Sequence, residues 1–215
     1  PTEPIYNEDG THYENFGINY YYNPVGILEE QTGRYTRENT RMTGNITFEP
    51  IKGWQTNLMI GRNTTMDHNR NFQTTEYYGQ ELNSYTGAAS QQHNEYQTDN
   101  LELTSKYNHT WGKHRFDALV GYSYQYNVNE GFYAYNRNFP TDFYEYNNMG
   151  LGLALKDGQA SITSYKNDNT LIGFFGRVSY GFDNKYNALV SIRREGSSKF
   201  GAHNKWGTFP SVSLG

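Results

Sequence analysis

Residues 101–127 decide the fold, and they read LELTSKYNHT WGKHRFDALV GYSYQYN. Every second residue from Phe116 to Tyr126 is apolar or aromatic, and the residues between them are mostly polar. A period of two is typical of a β-strand whose two faces meet different surroundings. Residues 101–107 show the same alternation, and the Trp-Gly-Lys-His stretch between the two runs has the composition of a tight turn. The segment therefore predicts two long antiparallel strands joined by a hairpin.

Two further hairpins have the same form, with tight turns at 49–53 and 183–185. Between the three hairpins lie long polar segments without alternation, at 64–97, 128–168 and 195–207. Strands are predicted near 40–49, 54–63, 99–109, 116–127, 171–182 and 186–193, with a seventh from about Thr208 whose faces stay ambiguous. All short connections then lie at one end of the strands and all long ones at the other. Transmembrane β-barrels have this asymmetry.

Strand length and the position of the aromatic residues support a membrane barrel. The runs approach the roughly 10 residues that cross a bilayer, whereas strands of globular proteins average about 5–6. Aromatic residues also gather beside the tight turns, as an interfacial girdle would require. They are Phe48, Trp54, Tyr107, Trp111, Phe116, Tyr180, Phe182 and Tyr186, while Tyr122, Tyr124 and Tyr126 would lie toward the opposite rim. A soluble β-sandwich is the alternative, because its core-facing strands also alternate.

Four apolar residues are predicted on the inner face, which a wide aqueous pore would not favour. They are Leu119, Leu171, Phe175 and Leu189. A lumen filled by a plug could bury them instead.

Composition excludes several classes of function. The 215 residues carry a formal net charge of -4, so there is no basic footprint for nucleic acid. Cysteine is absent, which removes disulfides, thiol nucleophiles and thiolate metal sites. No apolar run is long enough for a membrane helix. The chain opens at Pro1 without a signal peptide and ends inside a predicted strand, so we expect a piece of a longer polypeptide.

No constellation of residues indicates catalysis. His109 and His114 flank one turn, but two ligands are too few for a typical zinc site. Ser197, Ser198 and Lys199 lack the strand-to-helix context of a serine nucleophile. We therefore predict no enzyme, no metal site and no cofactor.

The long loops are better candidates for binding. Tyrosine offers a flat apolar ring with a hydroxyl, and asparagine offers a donor with an acceptor, which together suit sugar rings and peptides. Each tyrosine could instead stabilise its own loop or contact a protein partner. The candidate ligand- or partner-contact residues are Tyr77, Tyr78, Tyr85, Tyr133, Tyr135, Asp142, Tyr144, Tyr146, Asn147 and Asn148.

An ordered series of short motifs runs through nearly the whole chain. It comprises Pro1–Asn7 with Asp9-Gly10, Asn23-Pro24-Val25-Gly26, Asn138-Phe139-Pro140-Thr141-Asp142, Tyr146-Asn147-Asn148, Thr170–Val178, Gly196-Ser197-Ser198-Lys199-Phe200-Gly201, Asn204-Lys205-Trp206-Gly207 and Phe209-Pro210-Ser211. In this order the motifs closely resemble the barrel of SusC/RagA-type TonB-dependent outer-membrane receptors. One departure is Glu195, which stands where the family usually has Asp.

The resemblance implies a fold and a cellular setting. It implies about seven strands of an antiparallel transmembrane β-barrel of about 22 strands with long extracellular loops, in the outer membrane of a Gram-negative bacterium. Residues 1–39 would form an outer loop and 40–215 strands and loops, with the plug domain outside the chain. The implied partners are a SusD-like lipoprotein, the TonB complex, outer-membrane lipid and a glycan or peptide substrate.

Two hypotheses about function follow. The first is TonB-dependent import of a glycan or peptide nutrient, with this segment forming barrel wall and substrate- or lipoprotein-facing loops. The second is a soluble or surface β-domain that binds carbohydrate through its tyrosine-rich loops.

Overall fold

Seven strands in chain order form one antiparallel sheet. The structure is a computed structural model that describes residues 3–15, 22–78 and 84–215. A short helix, α1, spans Pro24–Glu29, and three single 3₁₀ turns follow one another at Glu145–Asn147, Met149–Leu151 and Leu153–Leu155. The strands are β1 Gln31–Ile51, β2 Trp54–Gln73, β3 Ala88–Trp111, β4 His114–Arg137, β5 Ser161–Phe182, β6 Tyr186–Ser197 and β7 Trp206–Leu214. The predicted all-β class and strand number are thereby confirmed.

The prediction was wrong about where the strands end away from the tight turns, because β1 to β5 extend further than predicted. Strands β1 to β5 have 20 to 24 residues each, about twice the length that crosses a bilayer. The structure starts β1 at Gln31, so residues 31–39 are strand and not loop, and the chain before them includes α1. Much of 64–97 and 128–168 is also strand, and the connections shrink to 74–87 and 138–160. Outside the membrane both faces of a strand meet water. The sequence of such a strand therefore shows no alternation of apolar and polar residues from which it could be predicted.

The three tight turns lie where the sequence predicts them. Gly53 and Gly112 have φ angles of 86° and 54°, which a residue without Cβ adopts readily. In the third turn Asp183 and Asn184 have φ angles of 50° and 53°, a conformation that short polar side chains tolerate. Because consecutive strands are neighbours, all three turns share one end of the sheet.

Strand register assigns the faces of β7, which the sequence leaves ambiguous. Val178 of β5 pairs with Val190 of β6, and Val190 pairs with Val212 of β7. One row further, Tyr180, Ala188 and Leu214 are paired in the same way. Directly paired residues share a face, so Pro210, Val212 and Leu214 continue the apolar face of β5 and β6.

The apolar face of the sheet is exposed. Val178, Val190 and Val212 have 45%, 53% and 68% of their surface accessible. Of the eight girdle aromatics predicted beside the tight turns, all but the half-buried Phe116 are exposed. A soluble sandwich would bury such a face in its core, whereas a barrel turns it toward lipid.

The four apolar residues on the other face are half-buried within the sheet. The ring of Phe175 covers Gly121 so closely that a Cβ there would be 2.2 Å from Phe175 Cζ. The guanidinium of Arg193 lies 5.2 Å from the centre of the same ring. A cavity of about 310 Å³ beside this contact is lined by Leu119, Phe175, Arg177 and Arg193, among others.

The chain divides into two compact units. The first contains Pro1–Glu38, Met66–Glu95 and Glu130–Tyr165. Its core consists of Phe72, Ala89 and Phe139, against which Tyr146, Met149 and Leu151 pack. The second unit contains Asn39–Thr65, Tyr96–Asn129 and Lys166–Gly215 and includes the three tight turns. None of the described helices has the length and apolar character needed to cross a membrane.

Candidate ligand pocket

A cavity of about 1020 Å³ lies in the first unit. Its volume is at the upper end of the range of small-molecule pockets, about 300–1,000 Å³. The lining residues come from 7–14, from α1 and its C-terminal end, from the two ends of the β2–β3 connection, and from Asn138.

A small hairpin near the N-terminus forms one wall. Asn7 N donates to Thr11 O at 2.8 Å, and Gly10, at a φ of 86°, closes the turn. Asp9 Oδ1 accepts from the backbone N of Thr11 at 3.0 Å and from its hydroxyl at 2.6 Å. These bonds favour the charged carboxylate and lower the pKa of Asp9, so the turn presents an ionised acid to the cavity.

The hairpin is held against α1 by a polar contact. His12 Nε2 lies 3.0 Å from Glu29 Oε2, and the hydroxyl of Tyr6 donates to the same oxygen at 3.1 Å. The His12 hydrogen bond first, and that of Tyr6 second, lower the pKa of Glu29. Gly26 allows the close approach, because a Cβ there would lie 3.0 Å from the His12 ring.

Asn23 ties the hairpin to the start of α1. Its Oδ1 accepts from Val25 N at 3.0 Å and caps the helix, while Pro24 occupies the first helical position. Its Nδ2 donates to Ile5 O at 2.6 Å and to Tyr13 O at 3.2 Å. One buried side chain therefore fixes both the helix and the wall of the cavity.

Tyrosines form the opposite wall. The ring centres of Tyr77 and Tyr78 are 4.3 Å apart, and that of Tyr22 lies 3.8 Å from Tyr78. Burial, and then the hydrogen bond with Tyr78, raise the pKa of Tyr77, so its hydroxyl stays protonated at neutral pH. Arg137 lies 5.2 Å from the ring of Tyr85. The wall thus offers flat rings and, at Tyr77, a neutral hydroxyl.

Three of the ten predicted contact residues line this cavity, namely Tyr77, Tyr78 and Tyr85. Tyr133 and Tyr135 are half-buried on β4 and are not among its lining residues, and Tyr144, Asn147 and Asn148 are exposed elsewhere in the first unit. Their role as ligand or partner contacts stays a prediction.

Two predicted residues have structural partners. Asp142 accepts from the backbone N and the hydroxyl of Thr75 at 2.9 and 2.8 Å, which anchors the loop that carries the tyrosines. Tyr146 packs on the core of the first unit and lies 5.4 Å below the guanidinium of Arg70.

The sequence pattern does not predict the N-terminal wall. Asp9, Glu14 and Glu30 line the cavity, yet residues 1–39 carry no period and were given no specific role. Glu14 Oε2 accepts from Asn23 N at 2.9 Å, whereas no donor within the described ranges reaches the buried Glu14 Oε1. The Asp9-Gly10 turn was the available signal, but a turn motif does not reveal what it faces.

The histidines and serines considered for chemistry have packing roles. Trp111 stacks between His109 and His114, at 5.6 and 5.4 Å, and His114 Nδ1 is 2.6 Å from the Tyr180 hydroxyl. Ser198 Oγ accepts from Thr170 N at 2.8 Å. Within residues 3–15, 22–78 and 84–215, no group of three or more side chains could hold a metal ion.

An exposed apolar sheet face, aromatic rows and tight turns at one end define the class of this chain, which is a segment of a transmembrane β-barrel. No family model matches the sequence. It is 30% identical over 217 residues to TonB-dependent receptor P3 of Formosa agariphila, an alignment that covers 100% of this chain and 21% of the receptor. Over 53 residues it is 47% identical to TonB-dependent receptor SusC of Bacteroides thetaiotaomicron, covering 25% of this chain and 5% of that receptor.

Solved structures share the fold. The RagAB peptide transporter superimposes with a TM-score of 0.80 at 20% identity, covering 94% of this chain and 22% of the matched chain. The predicted resemblance is confirmed, and the chain is a partial barrel segment of the SusC type. It spans about a fifth of the length of the P3 receptor. The relatives are named as receptors and the solved structures as transporters or importers, not as enzymes.

Proposed function

We propose that the full-length protein imports a nutrient across the outer membrane of a Gram-negative bacterium with energy from the TonB complex. The observation that carries the proposal is the alignment of this whole chain with a TonB-dependent receptor. The exposed apolar face supports it, because import of this kind needs a barrel wall in contact with lipid. The chain supplies wall and outer loops, while the plug and the contact with TonB lie in other parts of the protein.

The cavity supports a glycan or a peptide as the imported ligand. Its tyrosine rings suit sugar faces and peptide side chains, and its carboxylates accept from hydroxyl or amino groups. Among the described residues that line it, the acids are Asp9, Glu14, Glu30 and Glu76, and the one basic group is the imidazole of His12. This excess of acids favours neutral or cationic ligands over sulfated or uronate-rich glycans.

Partners of the full-length protein are proposed from the family. A SusD-like lipoprotein would cover the outer mouth, and the solved RagAB structures are described as a peptide importer in closed and open states. The exposed Phe143 and Tyr144, whose rings meet edge to face at 5.0 Å, offer such a partner an aromatic contact.

The half-buried inner face supports a plug inside the barrel. We expect Phe175 and Leu189 to become inaccessible when the plug is present. Cysteine introduced at position 189 of the full-length protein should resist a water-soluble thiol reagent, and should react once the plug is deleted. Rapid labelling with the plug in place would contradict this arrangement.

Uptake tests the proposed import. Cells that depend on a peptide mixture or a glycan for growth should lose uptake when the gene for the full-length protein is deleted or when TonB is disrupted. The reintroduced gene should restore uptake only in cells with TonB. Uptake that is unchanged on every nutrient tried, or independent of TonB, would contradict the proposal.

A further inference from the structure

Two rows of residues border the apolar face at a constant spacing. In each strand from β2 to β6, a bulky residue beside a tight turn is followed, eight residues away, by a charged or aromatic residue on the same face. Strand β7 shows the same spacing from Leu214, which lies in the row of Tyr180 and Ala188. The pairs are Trp54 and Arg62, Tyr107 and Asp99, Phe116 and Tyr124, Phe182 and Phe174, Tyr186 and Arg194, and Leu214 and Trp206. Eight residues span about 26 Å of strand, or about 20 Å along the membrane normal at the usual tilt. This is close to the height of the apolar band of a barrel, so the second row marks its outer border.

An ion pair on the second row faces away from the lumen. Arg62 Nε lies 2.6 Å from Asp99 Oδ1, and Arg62 Nη2 lies 2.9 Å from Asp99 Oδ2. By alternation both side chains share the face of Ile60 and Leu101, and the Arg62 side chain is 58% accessible. Charges on this face are costly inside hydrocarbon, which places the pair at the level of the lipid headgroups.

An apolar groove of about 590 Å³ lies beside this ion pair. Met42, Ile60, Leu101 and Tyr124 line it together with the two charged residues. Gly44 also lines the groove and contributes no side chain to fill it. The groove thus has apolar walls that suit an acyl chain, and the guanidinium of Arg62 lies at its outer end.

We propose that this groove and Arg62 bind one phosphorylated lipid of the outer leaflet. An acyl chain lies along Met42, Ile60 and Leu101, and a phosphate oxygen accepts from Arg62. Arg62 Nε and Nη2 donate to Asp99, so Nη1 of this exposed guanidinium donates to the phosphate. A lipid fits better than a soluble anion, since the groove continues the lipid-facing band. The proposal rests on the membrane-barrel fold and not on import.

Native mass spectrometry of the full-length protein in detergent, titrated with diphosphorylated lipid A, tests this site. We expect Arg62→Gln to weaken binding about tenfold, as loss of a charge-assisted hydrogen bond implies. Gly44→Leu should weaken it similarly by filling the groove. Asp99→Asn should leave binding equal or tighter, because it releases the guanidinium. Matched controls are Arg41→Gln, a charge change on the opposite face beside the groove, and Gly176→Leu, an apolar addition on the same face away from it.

The variants separate lipid binding from a structural role of the ion pair. If the pair merely stabilised the wall, Arg62→Gln and Asp99→Asn would lose lipid equally, and that result would overturn the proposal. Unchanged binding in either Arg62→Gln or Gly44→Leu would also overturn it, because the site needs both the cation and the open groove. The source is checked with phosphatase-treated lipid A, which should compete about tenfold more weakly than the intact lipid, and with inorganic phosphate, which should not compete. Equal competition by the dephosphorylated lipid, or any competition by inorganic phosphate, contradicts a site for a phosphorylated lipid. Nutrient uptake is measured separately, so loss of lipid binding does not depend on the transport result.

Discussion

Gly121 is the residue that allows Phe175 to lie flat on the inner face of the wall. A Cβ at Gly121 would be 2.2 Å from Phe175 Cζ, so even alanine forces the ring to move. The ring also contacts Arg193, and its displacement breaks that contact as well. We expect Gly121→Ala to destabilise the full-length barrel by about 1–3 kcal/mol. Urea unfolding, followed by the heat-modifiable migration of the barrel on a gel, measures this loss of stability. The matched control is Gly176→Ala, whose added Cβ would meet only ordinary van der Waals contacts. Equal stability of the two variants would contradict this account.

Glu29 makes the docking of the N-terminal hairpin sensitive to pH. Its pKa in the folded protein lies below the ordinary 4.5, because His12 and Tyr6 bind the carboxylate. A lowered folded pKa means that this stabilisation is full above pH 4.5 and is lost as the pH falls through the folded pKa. We expect the amide of Tyr13, which donates to Ile5 O, to lose protection against exchange as the pH falls below 4.5, after correction for intrinsic rates. In Glu29→Gln this pH-dependent loss of protection should disappear. If it persists in that variant, another titrating group is responsible.

At the scale of elements, α1 has only six residues and depends on Asn23 for its position. Asn23→Ala removes the cap and both hydrogen bonds to the hairpin, a loss of about 2 kcal/mol or more. We expect faster proteolysis within residues 3–15 of the full-length protein. Asn23→Asp keeps the cap but sets a carboxylate oxygen against the carbonyl oxygens of Ile5 and Tyr13, so cleavage should be at least as fast as in Asn23→Ala. Identical cleavage of Asn23→Ala and the unchanged protein would show that other contacts hold the hairpin.

The same elements show what the sequence could predict. The turns at 49–53, 110–114 and 183–185 were predictable because local chemistry, such as Gly53 at positive φ, determines them. The spans inside the membrane were predictable because lipid and lumen impose opposite preferences on alternate residues. The outer halves of β1 to β5 were not, since polar side chains on both faces carry no period.

At the scale of the whole molecule, the pocket was predictable only in part. Tyr77, Tyr78 and Tyr85 stand out by composition in a long connection. The N-terminal wall depends on contacts between residues distant in the sequence, such as Asn23 with Ile5 and His12 with Glu29. No local sequence pattern indicates these contacts. The same holds for the groove at Arg62, whose partner Asp99 is 37 residues away in the chain.

The tyrosine wall leads to a prediction for transport by the complete receptor. Tyr78 lines the cavity next to Tyr77, whose ring centre is 4.3 Å away, and stacking of a ligand on such rings contributes about 1 kcal/mol or more. We expect Tyr78→Ala to raise the KM for uptake about fivefold or more with little change in the maximal rate, since the wall binds the ligand and does not drive transport. Tyr165→Ala, an exposed tyrosine of the same unit that does not line the cavity, is the control and should leave the KM unchanged. If Tyr78→Ala left the KM unchanged, the ligand would bind elsewhere and the cavity would be a structural void. If Tyr78→Ala instead lowered the maximal rate at constant KM, the tyrosine wall would act in a step after binding.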